Sequence, residues 1–211
     1  MTESEGVIQY QLHYRPGNLP ADADYTGLYR WFGRCRRLGL IGQDPALYDG
    51  FAYGNISVRA DRGFVISGTQ TGGRESLGPL DLAWVDGFDA ERNQLSATGP
   101  ARPSSEAMTH GQIYQVLPEA RAVIHVHSAT IWHRARQLGL PSTAADAGYG
   151  TPQMAAEVTR LLSSRPGIHD GAFVMGGHED GVAVFASDMD TAGSLLLDVL
   201  ARATDLASAT R

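Results

Sequence analysis

Apolar positions along the chain change their period several times, and each change marks an element. Between residues 22 and 38, Tyr25, Leu28, Phe32 and Cys35 recur at helical spacing and Gly39 follows as a stop, which predicts an amphipathic helix that packs on a sheet. Residues 55–59 and 63–67 carry Ile56, Val58, Phe64, Val65 and Ile66 around Asp61, Arg62 and Gly63, the pattern of a β-hairpin. Helices are predicted over 103–116 and 151–162, the second closed by Ser163, Ser164 and Pro166, with a buried strand over 122–127 between them. Strands over 172–175 and 182–185 flank a glycine-rich turn, and Leu195, Leu196, Val199 and Leu200 make the stripe of a last helix over 188–203. The opening segment up to Pro20 alternates Ile8, Tyr10, Leu12 and Tyr14, which fits an edge strand or an untethered arm. The expected division is that arm or edge strand over 1–20 and one α/β domain over 21–211, without repeats or low-complexity linkers.

Composition narrows the function. With 211 residues, 43% of them hydrophobic, the chain can bury a sizeable core within one domain. The net charge is −6 and the only basic cluster is Arg34, Arg36 and Arg37, so neither nucleic acid nor an anionic membrane is an expected partner, and small solutes are. The first residues are acidic rather than apolar and no run of about eighteen apolar residues occurs, which makes the cytoplasm the expected compartment. Cys35 is the single cysteine; it excludes an internal disulfide and a thiolate-rich zinc site, leaving histidine and carboxylate as ligands for any metal.

Those ligand types cluster. In Ala122-Val123-Ile124-His125-Val126-His127 the two histidines are two apart on an apolar strand, so both imidazoles leave one face while Ile124 and Val126 pack behind. Taken alone, such a pair fits two hydrogen-bonded core histidines better than a metal site, so further ligands have to shift the reading. His178 lies in the turn Gly176-Gly177-His178-Glu179-Asp180-Gly181, where glycines allow close approach of the backbone. Glu106, at the helix start after Pro103, is the candidate fourth group: three neutral imidazoles with a displaceable carboxylate or water are what a catalytic Zn²⁺ site requires. His110, one helical turn after Glu106, is placed either to orient a ligand or to pack in the core, and His13, His133 and His169 are expected at the surface or behind the ligands. Three segments offer hydroxyls and backbone amides of the kind that cradle an anion: Ser104-Ser105 at that helix start, Gly54-Asn55, and the loop over 68–73 with Thr71 and Gly72. Ordinary turn chemistry also accounts for each of them singly. Ala107 and Met108 form no capping box with the serines, so their hydroxyls are expected to be left to a ligand.

Taken in order, YGNISVR, VISGTQTGG, RPSSEAMTH, AVIHVHS, Gly150-Thr151 and the strand-turn that ends on His178 resemble the class II aldolase/adducin family, over about residues 20–205. The resemblance implies a three-layer α/β/α domain with a central, mainly antiparallel sheet, and a homotetramer with active sites near subunit contacts. It implies Zn²⁺, or another divalent ion such as Co²⁺ or Mn²⁺, held by His125, His127 and His178, with Glu106 as the catalytic carboxylate that also touches the metal when substrate is absent. Residues matching Gly54, Asn55, Thr71, Gly72, Ser104 and Ser105 hold the substrate phosphate in similar enzymes. The activity so implied is a class II aldolase, like the fuculose-phosphate enzymes, cleaving a small phosphorylated ketose through a zinc-stabilised enediolate. The chain contains no lysine, which rules out imine chemistry on a lysine side chain.

The family also holds sugar-phosphate dehydratases, epimerases and the non-catalytic adducin head, so membership does not fix a reaction. Glu106 favours aldolase over epimerase, since the epimerases usually place an aspartate there. An adducin-like scaffold would have lost metal ligands, and all three histidines are present. A cupin-type iron oxidoreductase would place its glutamate after the His-x-His pair, whereas Glu106 precedes it. Two features depart from the family pattern. The stretch over 134–149 is short where sugar-phosphate aldolases carry a segment supplying a tyrosine to a neighbouring subunit, and Tyr149, the only tyrosine nearby, fits core packing better. His178 is followed by Glu179 and Asp180 where relatives more often continue with glycine, which adds two carboxylates beside the site.

Overall fold

The computed structural model describes residues 7–165 and 167–209; Pro166, expected at a helix end, and the first six residues of the opening segment lie outside the described residues. In chain order the elements are β1 (Gln11–Pro16), α1 (Tyr25–Arg37), the short β2 (Gly42–Gln43) and β3 (Ala52–Tyr53), β4 (Asn55–Arg59), β5 (Phe64–Ser67), β6 (Leu82–Asp89) and β7 (Gln94–Gly99). They continue with α2 (Ala107–Val116), β8 (Ala122–His127), the short α3 (Ala129–Trp132) and α4 (Ala135–Leu138), α5 (Pro152–Ser163), β9 (Gly171–Val174), β10 (Gly181–Ala186) and α6 (Met189–Ala209).

Local chemistry sets several of these boundaries. Asp24 accepts the Gly27 N–H at 2.9 Å to open α1, and Arg34, Arg36 and Arg37 lie in its last turn against the negative end of the helix dipole. Thr151 accepts the Met154 N–H ahead of Pro152 to open α5. Helix α2 begins later than its apolar pattern predicts, at Ala107 rather than 103. Residues 103–106 are instead tied to the sheet, with Pro103 bridged to Gly68 and the Ser104 N–H donating to the Ser67 carbonyl.

Eight strands form one sheet in the order β1-β7-β6-β5-β4-β8-β10-β9, antiparallel throughout except that β1 lies parallel to β7 at one edge. The predicted hairpin is β4–β5, with Val58 opposite Val65. Strands β6 and β7 were not evident from the pattern. Their inward positions are partly the small Ala83 and Ala97, and the register shifts between Val85 and Gly87, which breaks the alternation.

Period-two alternation sends the sheet's apolar residues to two separate layers. Ile56, Val58, Ile124, Val126, Val182 and Val184 pack against α1, α3 and α6, while Phe64, Ile66, Val123 and Phe185 pack against α2 and α5. Helices therefore cover both faces, giving the expected three-layer α/β/α architecture. The odd-numbered positions of β8, His125 and His127 among them, face the α2–α5 side. No helix among the described residues is long and apolar enough to cross a membrane.

In the first layer, α1 and α6 pack closely at Gly193. A Cβ on Gly193 would stand 2.3 Å from the Trp31 ring, whose indole N–H donates to Asp190 at 2.6 Å. The expected effect of Gly193→Val is a loss of about 1–3 kcal/mol of unfolding free energy through overpacking, measured by urea denaturation. An unchanged midpoint would contradict this packing.

Candidate metal centre

His125 and His127 reach the same space because their cross-strand neighbours are small. In the β8–β10 pairing His125 stands opposite Ala183 and His127 opposite Gly181. A Cβ at Gly181 would strike the His178 ring at 2.5 Å, so glycine at this position is what lets the third imidazole fold inward. The turn that carries His178 is closed by the His178 N–H donating to the Met175 carbonyl at 3.1 Å and the Gly181 N–H donating to the His178 carbonyl at 2.9 Å. Its Gly176 and Gly177 press on the carbonyls of Thr143 and Ala147, where a Cβ would come within 2.3 and 2.2 Å.

The result is one buried group of three ligands. One nitrogen from each of His125, His127 and His178 lies within 4.8 Å of the others, and His127 Nε2 is 3.0 Å from His178 Nε2. Tetrahedral zinc with Zn–N bonds of ~2.0–2.1 Å separates its ligand nitrogens by ~3.3 Å, so small side-chain shifts suffice to close the trio on an ion. His125 donates from Nδ1 to the Val182 carbonyl at 3.3 Å, which leaves its buried Nε2, without a hydrogen-bond partner, as a free lone pair. A carbonyl behind the ring is the usual device for orienting a metal-bound imidazole. Burial holds all three rings neutral: His125 is pushed down to about 4, and His127 and His178 are lowered well below the ordinary histidine value by burial first and by neighbouring histidines second. Neutral, inward-facing imidazoles fit a divalent cation, and this triad is the group among the described residues that could hold one.

Glu106 is 1% exposed at the N-terminus of α2. Its Oε1 lies 3.7 Å from His178 Nε2, and its Oε2 accepts the Thr109 hydroxyl at 2.9 Å. Thr109 thus fixes the carboxylate's rotation, a contribution the residue pattern did not reveal. His110 does not join the ligands. It lies fully buried beneath them, its Nδ1 bonded to Ser57 Oγ at 2.7 Å, and Ser57 in turn bonds the Tyr114 hydroxyl at 2.8 Å. His13, His133 and His169 are exposed.

The residues expected to hold phosphate fall in two groups. Asn55 stands opposite His125 in the β4–β8 pairing, 5% exposed, with Oδ1 buried and unbonded. It is placed there by Gly54, whose φ of +74° and 2.7 Å approach to Ile41 leave no room for a side chain. Thr71, Gly72, Ser104 and Ser105 come from two loops that the structure joins, with the Thr69 N–H donating to the Arg102 carbonyl at 2.9 Å. Thr71 donates its hydroxyl to the Gly68 carbonyl at 2.7 Å, and Gly72 packs where a Cβ would meet the Gly42 and Tyr53 carbonyls at 2.7 Å. One expectation needs refinement: Ser104 Oγ is not wholly free, because it accepts the Glu106 N–H at 3.3 Å and so shapes the turn before α2, which leaves its O–H as the donor for a ligand.

Several tyrosines border the centre, among them Tyr53 beside the His127 ring at 5.4 Å. Tyr149 is 2% exposed and packs on the His178 ring at 4.9 Å, the core role expected of it. Tyr10 donates to the Ser104 carbonyl at 2.7 Å from the opening segment, and Tyr48 meets His127 edge-on at 4.5 Å. The last two were not singled out as site residues, because their contacts join parts of the chain far apart in sequence.

The chain belongs to the family of class II aldolase and adducin N-terminal domains, whose model matches residues 46–201. A 3-oxo-tetronate 4-phosphate decarboxylase of Haemophilus influenzae is 41% identical over 75 residues, 36% of this chain and 33% of that protein. A methylthioribulose-1-phosphate dehydratase of Acidiphilium cryptum is 28% identical over 164 residues, 74% of this chain and 65% of its own length. The chain thus matches between about a third and two thirds of the length of these curated relatives. Among solved structures, the L-fuculose-1-phosphate aldolase of Thermus thermophilus shares the fold with a TM-score of 0.67 at 20% identity, over 88% of this chain and 93% of that one.

Burial of neutral histidines has a pH signature. Each is protonated in the unfolded chain below about pH 6.5 but resists protonation in the fold, so stability is complete above that value and is lost as pH falls from there through about 4, where His125 titrates. The thermal midpoint of chelator-treated protein is expected to fall between about pH 7 and pH 5. A flat midpoint across that interval would contradict the assignment of buried neutral imidazoles.

Proposed function

We propose that the protein is a metal-dependent lyase of the aldolase type, acting next to the carbonyl of a small phosphorylated ketose. The observation that carries this reading is the pairing of a buried carboxylate with the imidazole triad: Glu106 stands beside His178 and is locked by Thr109. A structural ion would need only the ligands, whereas a buried carboxylate fixed at its edge is the equipment of proton transfer. A divalent cation held by His125, His127 and His178, Zn²⁺ first and Co²⁺ or Mn²⁺ as alternatives, would supply Lewis-acid stabilisation of negative charge developing on the substrate.

This chain's own residues account for the remaining tasks. Glu106 moves a proton to or from the carbon next to the carbonyl as the bond breaks. Thr109 keeps one carboxylate oxygen bonded so that the other stays turned toward His178. Gly54, Asn55, Thr71, Gly72, Ser104 and Ser105 frame the phosphate, supported by the positive end of α2 directly behind Glu106. The absence of lysine leaves no Schiff-base route on a side-chain amine. In this reading the working assembly is a homotetramer, in keeping with the family resemblance.

Dehydration of a similar sugar phosphate is the second reading, favoured by the dehydratase that matches 74% of the chain. Both reactions remove a proton or its equivalent next to a carbonyl, so one pocket serves either, and the products separate them. Incubated with phosphorylated ketoses, the metal-loaded protein is expected to release a three-carbon keto phosphate and an aldehyde; loss of water with an intact carbon chain would replace aldolase by dehydratase. Glu106→Gln is expected to keep its metal and lose ~10²–10⁴-fold in kcat. Full turnover in that variant would remove Glu106 from the mechanism.

A further inference from the structure

We propose that Tyr48 and Asp180 form a positioning pair that clamps the solvent side of His127 and slows the escape of an ion from the metal centre. The proposal rests on the metal-centre reading above and concerns residues outside the ligand set. Tyr48 donates its hydroxyl to Asp180 Oδ2 at 2.7 Å across 132 residues of sequence. The Tyr48 ring stands edge-on to the His127 ring, with centroids 4.5 Å apart and planes at 72°, and Tyr53 covers a second side of the same imidazole at 5.4 Å. His127 is nearly buried while Tyr48 is half-buried, so the phenol ring is part of what separates this ligand from solvent.

Backbone strain concentrates at the same contact. Five non-glycine residues among the described residues have positive φ, and three of them are Tyr48 at +49°, Asp49 at +56° and Asp180 at +62°. Side-chain-bearing residues adopt this region only when the surroundings hold them there. Asp180 is held from its other side too, because its carbonyl accepts the Ser128 N–H at 2.8 Å, directly after His127. Two strained segments, one on the loop before β3 and one on the turn that carries His178, are thus joined by one hydrogen bond over a metal ligand.

The test uses protein loaded with Zn²⁺ and measures the rate of metal release to excess chelator, together with the thermal midpoint of the metal-free form. Tyr48→Phe removes only the hydroxyl and is expected to accelerate release about tenfold, the effect of losing one hydrogen bond to a charged group. Asp180→Gly removes the acceptor but suits the positive φ, so release should accelerate while the metal-free midpoint holds or rises. Release at the wild-type rate in both variants would overturn the pair. A lower midpoint in Asp180→Gly, accompanying faster release, would also overturn it by reducing the contact to a general support of the fold. Failure of the wild-type protein to take up Zn²⁺ is a separate result, which overturns the metal centre and the pair with it.

Discussion

The structure is organised around the requirement that three imidazoles be buried, neutral, and within 4.8 Å of one another. Neutral imidazole is cheap to bury only where its N–H is bonded and its lone pair has a use, and His125 meets the first condition at the Val182 carbonyl. The second condition is the metal's to meet. The alternation of β8 makes the arrangement possible: Ile124 and Val126 go to the apolar layer under α1 and α6, which frees the opposite face for chemistry. Opposite that face stand Ala183 and Gly181 rather than larger residues, and the turn beside it begins with two glycines pressed on neighbouring carbonyls. Gly181 is explained by the space the His178 ring takes, and Gly176 and Gly177 by the carbonyls of Thr143 and Ala147 on which the turn packs.

Around the ligands the polar groups are arranged in a second ring that rotates or supports them. Thr109 holds Glu106, Ser57 links His110 to Tyr114 beneath the site, and Tyr10 ties the opening strand to the segment that carries Ser104 and Glu106. The edge strand β1 is therefore connected to the site as well as to the sheet. The site's parts come from the central strands β4 and β8, from the start of α2 after β7, and from the turn between β9 and β10. Relatives named as a decarboxylase and a dehydratase, and a fold neighbour named as an aldolase, mean that the framework alone does not fix the reaction.

Much of this was legible from residue order, for identifiable reasons. The helix over 22–38, the hairpin over 55–67 and the strand over 122–127 carry large apolar side chains at one clear period, and the structure has an element at each. Strands β6 and β7 were hidden because alanines, glycine and a register shift dilute the alternation. The histidines stood out by type and spacing, since few residue types ligate metals and two of them share a strand face. Thr109, Tyr10 and Tyr48 were not legible as site residues, because what distinguishes them is a contact: Tyr10 meets a residue 94 positions away and Tyr48 one 132 positions away, whereas Asp180 was legible only as a carboxylate beside His178. The start of α2 was misplaced by a few residues because Ser104 caps a turn and holds the segment to β5, a tertiary tie that apolar spacing does not encode.

Metal binding by the triad is the property on which the proposed chemistry depends. Elemental mass spectrometry of the purified protein, beside a variant carrying His125→Ala and His127→Ala, measures this directly. About one zinc or similar divalent ion per chain, absent from the double variant, is the predicted result. Protein that holds no metal even after reconstitution, or a double variant that holds as much as the wild type, would contradict it.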